Sequence, residues 1–487
     1  PATPRDLHFP ASVWRPPEAA EHRVELPAGA TAFLVTDTTL PLVDIVVIAR
    51  AGADRENSDQ RGLAQWTASM LRRGGTESLS PEGFDERADE LGAILQSQAT
   101  PLYGAATLRC TSAVLDEAVE LLLDMIEHPR FDAERLAGAR RNMAEGLTRR
   151  TLDPLAVLDR EWDWLLFGAD HFSTRALRSA DLDNLSTAAL ADFHRRHWRP
   201  ENLTLAVAGD IDAARLHRLV DARLTAWQAR LPADTGFSWP PSGPTATPRS
   251  GLFHVAAQIP QAKVALGHRA ESALPTVEER IKLEVTAEIL GGRGAISRLN
   301  GRLRSAQGLV YRVDADFDPG DLWPASYRIS FDTSAVNTPR AVRAVLEEIE
   351  RLRATEPLPE ELAVVKRELV TRQLQSFDTA EEAVGYLVQD WLVGRPPSYR
   401  SRYRELVDAV TGSDVRLTAR RHLRPEALTV LVVGPWEEVR GEVGPDGVSE
   451  LERVLDRRVE RLPARDPSTL EPLVGTLGPP PAPAGTP

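Results

Sequence analysis

From Arg23 onward the chain sets short apolar runs between turn residues. HRVELPAG, ATAFLVTD and LPLVDIVVIARAG carry β-branched residues bounded by Gly, Pro or Asp, which predicts three successive strands. Gly62 to Leu71 follows as a helix. A second helix is predicted from Pro81 to Leu91, with Ser80 as its N-cap and Pro81 at its first position, where a missing N–H costs nothing. ILQSQATPLYGAATLRC predicts a strand pair. Asp116 to Glu127 places Ala118, Leu121, Leu122, Met125 and Ile126 on one face and predicts an amphipathic helix. Phe131 to Arg150 is a further helix, charged on one side, and REWDWLLFGADH after it supplies aromatic bulk. Ser186 caps a helix running to His197, and ENLTLAVAGDID closes this part with a buried strand and turn. Past Glu450 a last helix is predicted to about Arg461.

The pattern then repeats. Leu231 to Gly251 (LPADTGFSWPPSGPTATPRSG) holds five prolines among Gly, Ser and Thr, the composition of a linker. On either side of it, Arg195–Gly209 reads RRHWRPENLTLAVAG and Arg420–Gly434 reads RRHLRPEALTVLVVG. They agree at ten of fifteen positions with an offset of 225, which makes the chain an internal duplication. A similar offset sets the helix around Arg140 and Arg141 opposite that around Lys366 and Arg367. The expected organisation is an N-terminal arm over 1–22, a first domain over 23–230, a linker over 231–251, a second domain over 252–464 and a disordered tail over 465–487.

Composition narrows the possibilities. The chain has 487 residues, more than one ordinary domain, and its 42% hydrophobic and 26% charged residues suit a globular protein with a sizeable core. A formal net charge of −13 argues against nucleic acid and anionic membrane as partners. The longest mostly apolar runs, Leu40–Ala49 and Ala427–Gly434, are strand-sized, so no membrane insertion is expected. Cys110 is the only cysteine, which leaves no intrachain disulfide and no Cys-based metal site. That is compatible with any compartment; the periplasm is the expectation and the cytoplasm the alternative. The sequence starts at Pro1 rather than Met, as it would if a leader or tag had been removed.

His194 and His197 form an H-x-x-H pair, a spacing that can chelate a metal. His197 recurs as His422, however, while His194 becomes Ala419. The repeated His is read as a structural residue at a helix end, where the dipole and the last carbonyls favour a donor. The remaining histidines have no Ser or Cys nucleophile motif beside them.

Gly62–Thr76, GLAQWTASMLRRGGT, carries the most specific pattern. Gln65, Ala68 and Ser69 lie at i, i+3 and i+4 and share a helix face. The frame around them, Gly-Leu-Ala before, Met-Leu after and a Gly-Gly-Thr exit, resembles G-L-A-H-x-x-E-H-M-L-x-x-G-T of the pitrilysin/insulinase-type zinc metallopeptidases, in particular their processing-peptidase-like branch. In that family the two His hold Zn²⁺, the Glu takes the proton from the metal-bound water, and a more distant Glu is the third ligand. Glu145 lies 76 positions after Ser69, where the resemblance places that third ligand. The face itself reads Gln, Ala and Ser. A catalytic zinc needs three protein ligands and an open fourth position, and neither an amide nor a hydroxyl replaces an imidazole well. No metal is expected in this chain.

The second half supplies the other match. Glu288–Arg304, EILGGRGAISRLNGRLR, followed by SAQGLVYRVDADFD, resembles the family's second-domain signature, a Gly-rich turn and Ser-Arg-Leu helix leading into L-R-x-x-x-G-L-x-Y. Arg304 and Tyr311 fall on its Arg and Tyr, the pair that in active members reaches across the chamber to the substrate near the scissile bond. The resemblance runs from about Val24 to Glu438. It implies an α/β fold (α+β layers) of two homologous halves, each a mostly antiparallel sheet covered by helices, together making half of a clamshell. It also implies a role: the non-catalytic, substrate-binding subunit of a heterodimeric zinc metalloendopeptidase, inactive alone, with zinc in a homologous partner chain and peptide as substrate. The alternative is a non-proteolytic scaffold or binding protein with the same fold, which would have no use for Arg304 and Tyr311.

Overall fold

The apolar runs fold into two six-stranded sheets. The structure, a computed structural model, describes residues 16–150, 153–232, 246–271, 276–292 and 297–473. The first sheet is built from β1 (Arg23–Glu25), β2 (Thr31–Thr36), β3 (Leu42–Ala49), β4 (Ile94–Ala99), β5 (Gly104–Thr111) and β6 (Leu203–Gly209), in the order β1-β2-β6-β3-β5-β4. The second comprises β7 (Gly251–Ala256), β8 (Gln261–Arg269), β9 (Val310–Phe317), β10 (Ser326–Ser334), β11 (Thr429–Gly434) and β12 (Val459–Arg461), in the order β12-β7-β11-β8-β10-β9. Apart from the parallel pairs β2–β6, β7–β11 and β7–β12, neighbours run antiparallel. Each half is thus a mostly antiparallel sheet with helices packed on it, and five strands repeat in order, β2-β6-β3-β5-β4 and β7-β11-β8-β10-β9, while the outer edges differ, β1 being antiparallel and β12 parallel to its neighbour.

Local chemistry explains the helices. Ser80 Oγ accepts the Gly83 N–H at 3.1 Å and opens Pro81–Glu90; Ser186 does the same for Thr187–His197 through Ala189 N–H. The Leu115–Glu127 helix buries Ala118, Leu121, Leu122, Met125 and Ile126 against the first sheet, the face its spacing predicts.

The two halves exchange helices. REWDWLLFGADH lies mostly within a helix, Pro154–Phe167, which leaves the first half and packs Leu158, Trp162 and Leu166 on Phe253, Ala265 and Leu431 of the second sheet. Reciprocally, Ala380–Leu392 from the second half packs Val384, Leu387 and Val388 on Phe33, Ala206 and Ala208 of the first. Covered on both faces, β6 and β11 read as nearly unbroken apolar runs.

Two expectations are corrected. The last helix stops at Leu455, where Asp456 takes a left-handed φ of 52°, and Val459–Arg461 turns back as the edge strand β12. Residues 465–473, expected to begin a disordered tail, are ordered by the first half. Arg465 pairs with Glu161 at 2.8 Å, Arg150 donates to the Pro467 carbonyl at 2.7 Å, Ser179 N–H donates to the Ser468 carbonyl at 2.9 Å, and Leu470 is buried. Their order comes from partners some 300 residues away in sequence, for example Glu161, which local composition cannot display. Residues 474–487, most of the linker (233–245) and the arm up to residue 15 lie outside the described residues.

Candidate functional site

The helix that carries Gln65, Ala68 and Ser69 is Leu63–Arg73. Gly62 enters it with φ 83°, and the Glu56 carboxylate, reaching in from the preceding loop, accepts the N–H groups of Gly62 (3.1 Å) and Ala64 (2.8 Å). Burial pushes the Glu56 carboxyl up to about 7, against the pull of those two N–H groups. The helix buries Leu63, Ala64, Trp66, Thr67, Ala68, Met70 and Leu71. Ala68 is 0% exposed, Ser69 is half-buried and Gln65 is exposed. Two contacts tie this helix to the edge strand β4: Ser97 Oγ donates to the Ala68 carbonyl at 2.5 Å, and Arg72 Nε donates to the Leu95 carbonyl at 3.0 Å. Glu145 lies exposed on the Ala133–Arg149 helix.

His194 and His197 make packing and hydrogen-bond contacts within the first half. His194 Nε2–H donates to the Ile126 carbonyl at 2.7 Å, and burial pulls its pKa down to about 4. The non-repeated His thus donates to a carbonyl at the end of the Leu115–Glu127 helix. His197 lies against Phe193, with ring centroids 4.6 Å apart, and its repeat, His422, sits between Glu279 (3.0 Å) and the Tyr327 hydroxyl (3.2 Å).

In the second half the structure brings Arg304 and Tyr311 together. The Arg304 guanidinium lies over the Tyr311 ring, 5.3 Å from its centroid, a cation–π contact on an open surface. Tyr311 is 82% exposed. Arg304 sits on a π-helical turn, Asn300–Ala306, a wide turn that recurs at functional positions. That turn is anchored by buried Leu303, by a two-pronged Arg298–Glu361 pair at 2.8 and 2.9 Å, and by Arg302–Glu348 at 2.8 Å. Tyr311 sits on a β-bulge of the edge strand β9. Phe331 pairs with Val313 and Thr333 with Val310, so Tyr311 and Arg312 together oppose the single residue Asp332. The bulge breaks the alternation and turns two consecutive side chains, Tyr311 and Arg312, outward between buried Val310 and Val313. Sequence reading missed it, because a bulge is a property of the pairing and leaves no local signal. Part of the Gly-rich turn before this segment (293–296) lies outside the described residues.

The duplication sets Val277–Gly291 and Pro359–Gln375 opposite the Leu63–Arg73 and Ala133–Arg149 helices. There the second half holds carboxylates: Glu284 accepts the Tyr403 hydroxyl at 2.8 Å and Glu288 accepts Arg372 at 2.5 Å. Burial raises the Glu284 pKa. These side chains line a polar cavity of about 630 Å³.

Two family models match along the chain. Residues 32–154 match the insulinase (peptidase family M16) domain, and residues 184–369 match the peptidase M16 inactive domain. The chain belongs to the insulinase (M16) peptidase family. Among its M16 relatives, a protein of Mycobacterium bovis named an uncharacterized zinc protease is 26% identical over 428 residues, covering 85% of this chain and 93% of that one. The mitochondrial-processing peptidase subunit beta of Blastocladiella emersonii is 21% identical, covering 90% and 93%. The crystal structure of a peptidase M16 inactive domain from Pseudomonas fluorescens shares the fold with a TM-score of 0.74 at 22% identity, covering 85% of this chain and 97% of that one. The two-half architecture is therefore that of M16 proteins. The zinc that such relatives' names imply finds no fit at Gln65, Ala68 and Ser69: an amide, a methyl sealed in the core and a hydroxyl do not make a zinc site beside Glu145. Among the described residues no group of three or more His, Cys, Asp or Glu could hold a metal ion.

Proposed function

We propose that this chain is the non-catalytic, substrate-binding subunit of a two-chain zinc metallopeptidase, presenting Arg304 and Tyr311 to a peptide held in the active site of a homologous, zinc-bearing partner. The observation that carries the reading is the exposed Arg304–Tyr311 pair, 5.3 Å from guanidinium to ring and held out by a π-turn and a β-bulge, in a chain whose metal positions hold Gln, Ala and Ser. A cation and a phenol aimed at open space can donate to a carbonyl oxygen that gains charge, the task of oxyanion-stabilising donors. The chain's own free edge at β4 is less open to a peptide, since Arg72 takes up the Leu95 carbonyl there, which favours the partner's sheet edge as the place where an extended peptide adds as a strand. The experiment is reconstitution with an M16 chain from the same genome that keeps H-x-x-E-H. Peptide cleavage by the mixture, absent from this chain alone and well above the zinc chain alone, supports the reading. A mixture no more active than the zinc chain by itself contradicts it and leaves the scaffold role.

A further inference from the structure

A second cavity, about 540 Å³, lies where the two halves meet. Its floor is the outer face of the first sheet, with Val46, Ile48 and Tyr103. One wall is the crossing helix Ala380–Leu392, with Val388 and Leu392, and the other is the loop 318–325 between β9 and β10, with Trp323. That loop is a fixed wall: Asp321 is clamped by Arg280 at 2.7 Å and Arg395 at 2.9 Å, and Trp323 packs edge-on against Phe172 of the first half. The volume falls in the range of small-molecule sites, roughly 300–1,000 Å³.

The duplication shows what the cavity replaces. Both crossing helices contain Asp-Trp-Leu, at 163–165 and at 390–392, and in that register Gly385 and Gln389 stand where the other helix has Leu158 and Trp162. Leu158 and Trp162 are both buried in the core that includes the second sheet. The two helices also sit differently. Pro154–Phe167 covers β8 and β11, whereas Ala380–Leu392 covers β6 and β2 and leaves β3, the counterpart of β8, to floor the cavity. One half thus fills this place with a leucine and an indole of its own, and the other keeps it open. Gly385 is costly in a helix interior, and a Cβ built on it would meet nothing within 4 Å.

The lining limits the charge of an occupant. Asp321 is neutralised by its two arginines, the Asp318 carboxylate accepts the Gly320 N–H at 2.8 Å, and Arg50 is engaged within the protein. A charged ligand would give up its water here with no counter-ion left to meet it. The polar groups that remain open are neutral: among the described residues no hydrogen bond takes up the Tyr103 hydroxyl, the Trp323 indole N–H or the Gln389 side-chain amide. Two of these belong to aromatic rings, which favour another ring edge-on or offset-stacked.

We propose that this cavity binds a neutral aromatic molecule of indole size, with its ring against Ile48, Val388 and Trp323 and its polar group on Gln389. The site shares no residue with the Arg304–Tyr311 pair and does not rest on the subunit role. Two sources share this chemistry, a free aromatic compound and an aromatic residue inside a peptide.

Calorimetric titration of the full chain tests it, with indole as the free compound, N-acetyl-tryptophanamide as the peptide residue, and tryptamine and indole-3-acetate as cationic and anionic controls. Saturable one-site binding is expected for indole or N-acetyl-tryptophanamide, with both charged controls weaker by about tenfold or more, because each brings a charge into a site without a free counter-ion. Gly385→Leu, which restores the side chain of the other helix, should abolish binding and leave the melting temperature unchanged or raised. Gln389→Ala, at an exposed position, should weaken binding about fivefold, the loss of one neutral hydrogen bond. Tighter binding of N-acetyl-tryptophanamide than of indole assigns the site to peptide residues, and the reverse assigns it to free aromatic compounds. No saturable binding of either neutral ligand, a charged control that binds as tightly, or binding that survives both Gly385→Leu and Gln389→Ala at full strength overturns the proposal.

Discussion

The two halves share the order of five strands, and they differ in what equivalent places hold. In the first half the helix opposite the edge strand carries Gln65, Ala68 and Ser69, faces the core through Ala68 and is tied to β4 by Ser97 and Arg72. In the second half the equivalent helix carries Glu284 and Glu288 in a polar cavity, and the edge strand bulges to push Tyr311 into solvent beside Arg304. A duplicated fold fixes where groups can stand, while the groups themselves decide what a half can do. One half here is closed on itself and the other is left open.

The widest test of that comparison concerns what the halves have in common, the exchanged helices. Trp162 and Leu387 are each about 1% exposed, on opposite crossing helices. Trp162→Ala should cost about 3–5 kcal/mol and Leu387→Ala about 2–5 kcal/mol, measured by denaturant unfolding. Both variants should still unfold in one transition, because each helix belongs to the core of the other half; a split transition would show that the halves stand independently.

Restoring the metal face sharpens the contrast between closed and open halves. Gln65→His, Ala68→Glu and Ser69→His together set two imidazoles and a carboxylate base on the helix, but position 68 is sealed, so the new carboxylate begins buried and unpaired at a cost of several kcal/mol. The triple variant is expected to lose stability and, even where dialysis followed by metal analysis finds zinc, to cleave no peptide alone, since partners that orient the imidazoles are missing. Efficient cleavage by it would end the argument for a partner.

The smallest effects lie at the two helix starts. Leu63–Arg73 is capped by Glu56, whose carboxyl is pushed up to about 7 from an ordinary 4.5, whereas Val277–Gly291 is capped by the neutral Thr276 hydroxyl at 3.2 Å from Glu279 N. A raised carboxyl binds its proton more tightly folded than unfolded, so its contribution is full below pH 4.5 and is lost as pH rises through about 7. Asp54, pushed up to about 6 mainly by burial, adds to the same slope. Glu56→Gln should flatten stability between those pH values, while Thr276→Ala should cost about 1 kcal/mol at every pH. An unchanged pH slope in Glu56→Gln would show that the cap does not titrate there.

Much of this was legible in the chain itself. Ser80 and Ser186 cap the helices their positions predict, the RRHxRPExLTxxVxG repeat announces two like halves, and the Arg304 to Tyr311 spacing marks the residues that the structure brings together. What was hidden depends on distant partners. The bulge at Tyr311 exists only in the pairing of β9 with β10, the Glu56 cap comes from a loop, and the segment 465–473 is ordered by Glu161, Arg150 and Ser179. The helix over REWDWLLF looked like unassigned aromatic bulk because its apolar face suits a sheet from the other half.

The central claim is that the exposed pair serves chemistry on another chain, and the direct measurement is the turnover of the reconstituted complex with Arg304→Ala and, separately, Tyr311→Phe. Removing one donor of this kind costs about 10² to 10³ in turnover, roughly 3–4 kcal/mol. Each variant complex should assemble normally, keep its zinc content and lose that much activity. Complexes that assemble, hold zinc and cleave peptide at the wild-type rate would make Arg304 and Tyr311 surface residues and contradict the account.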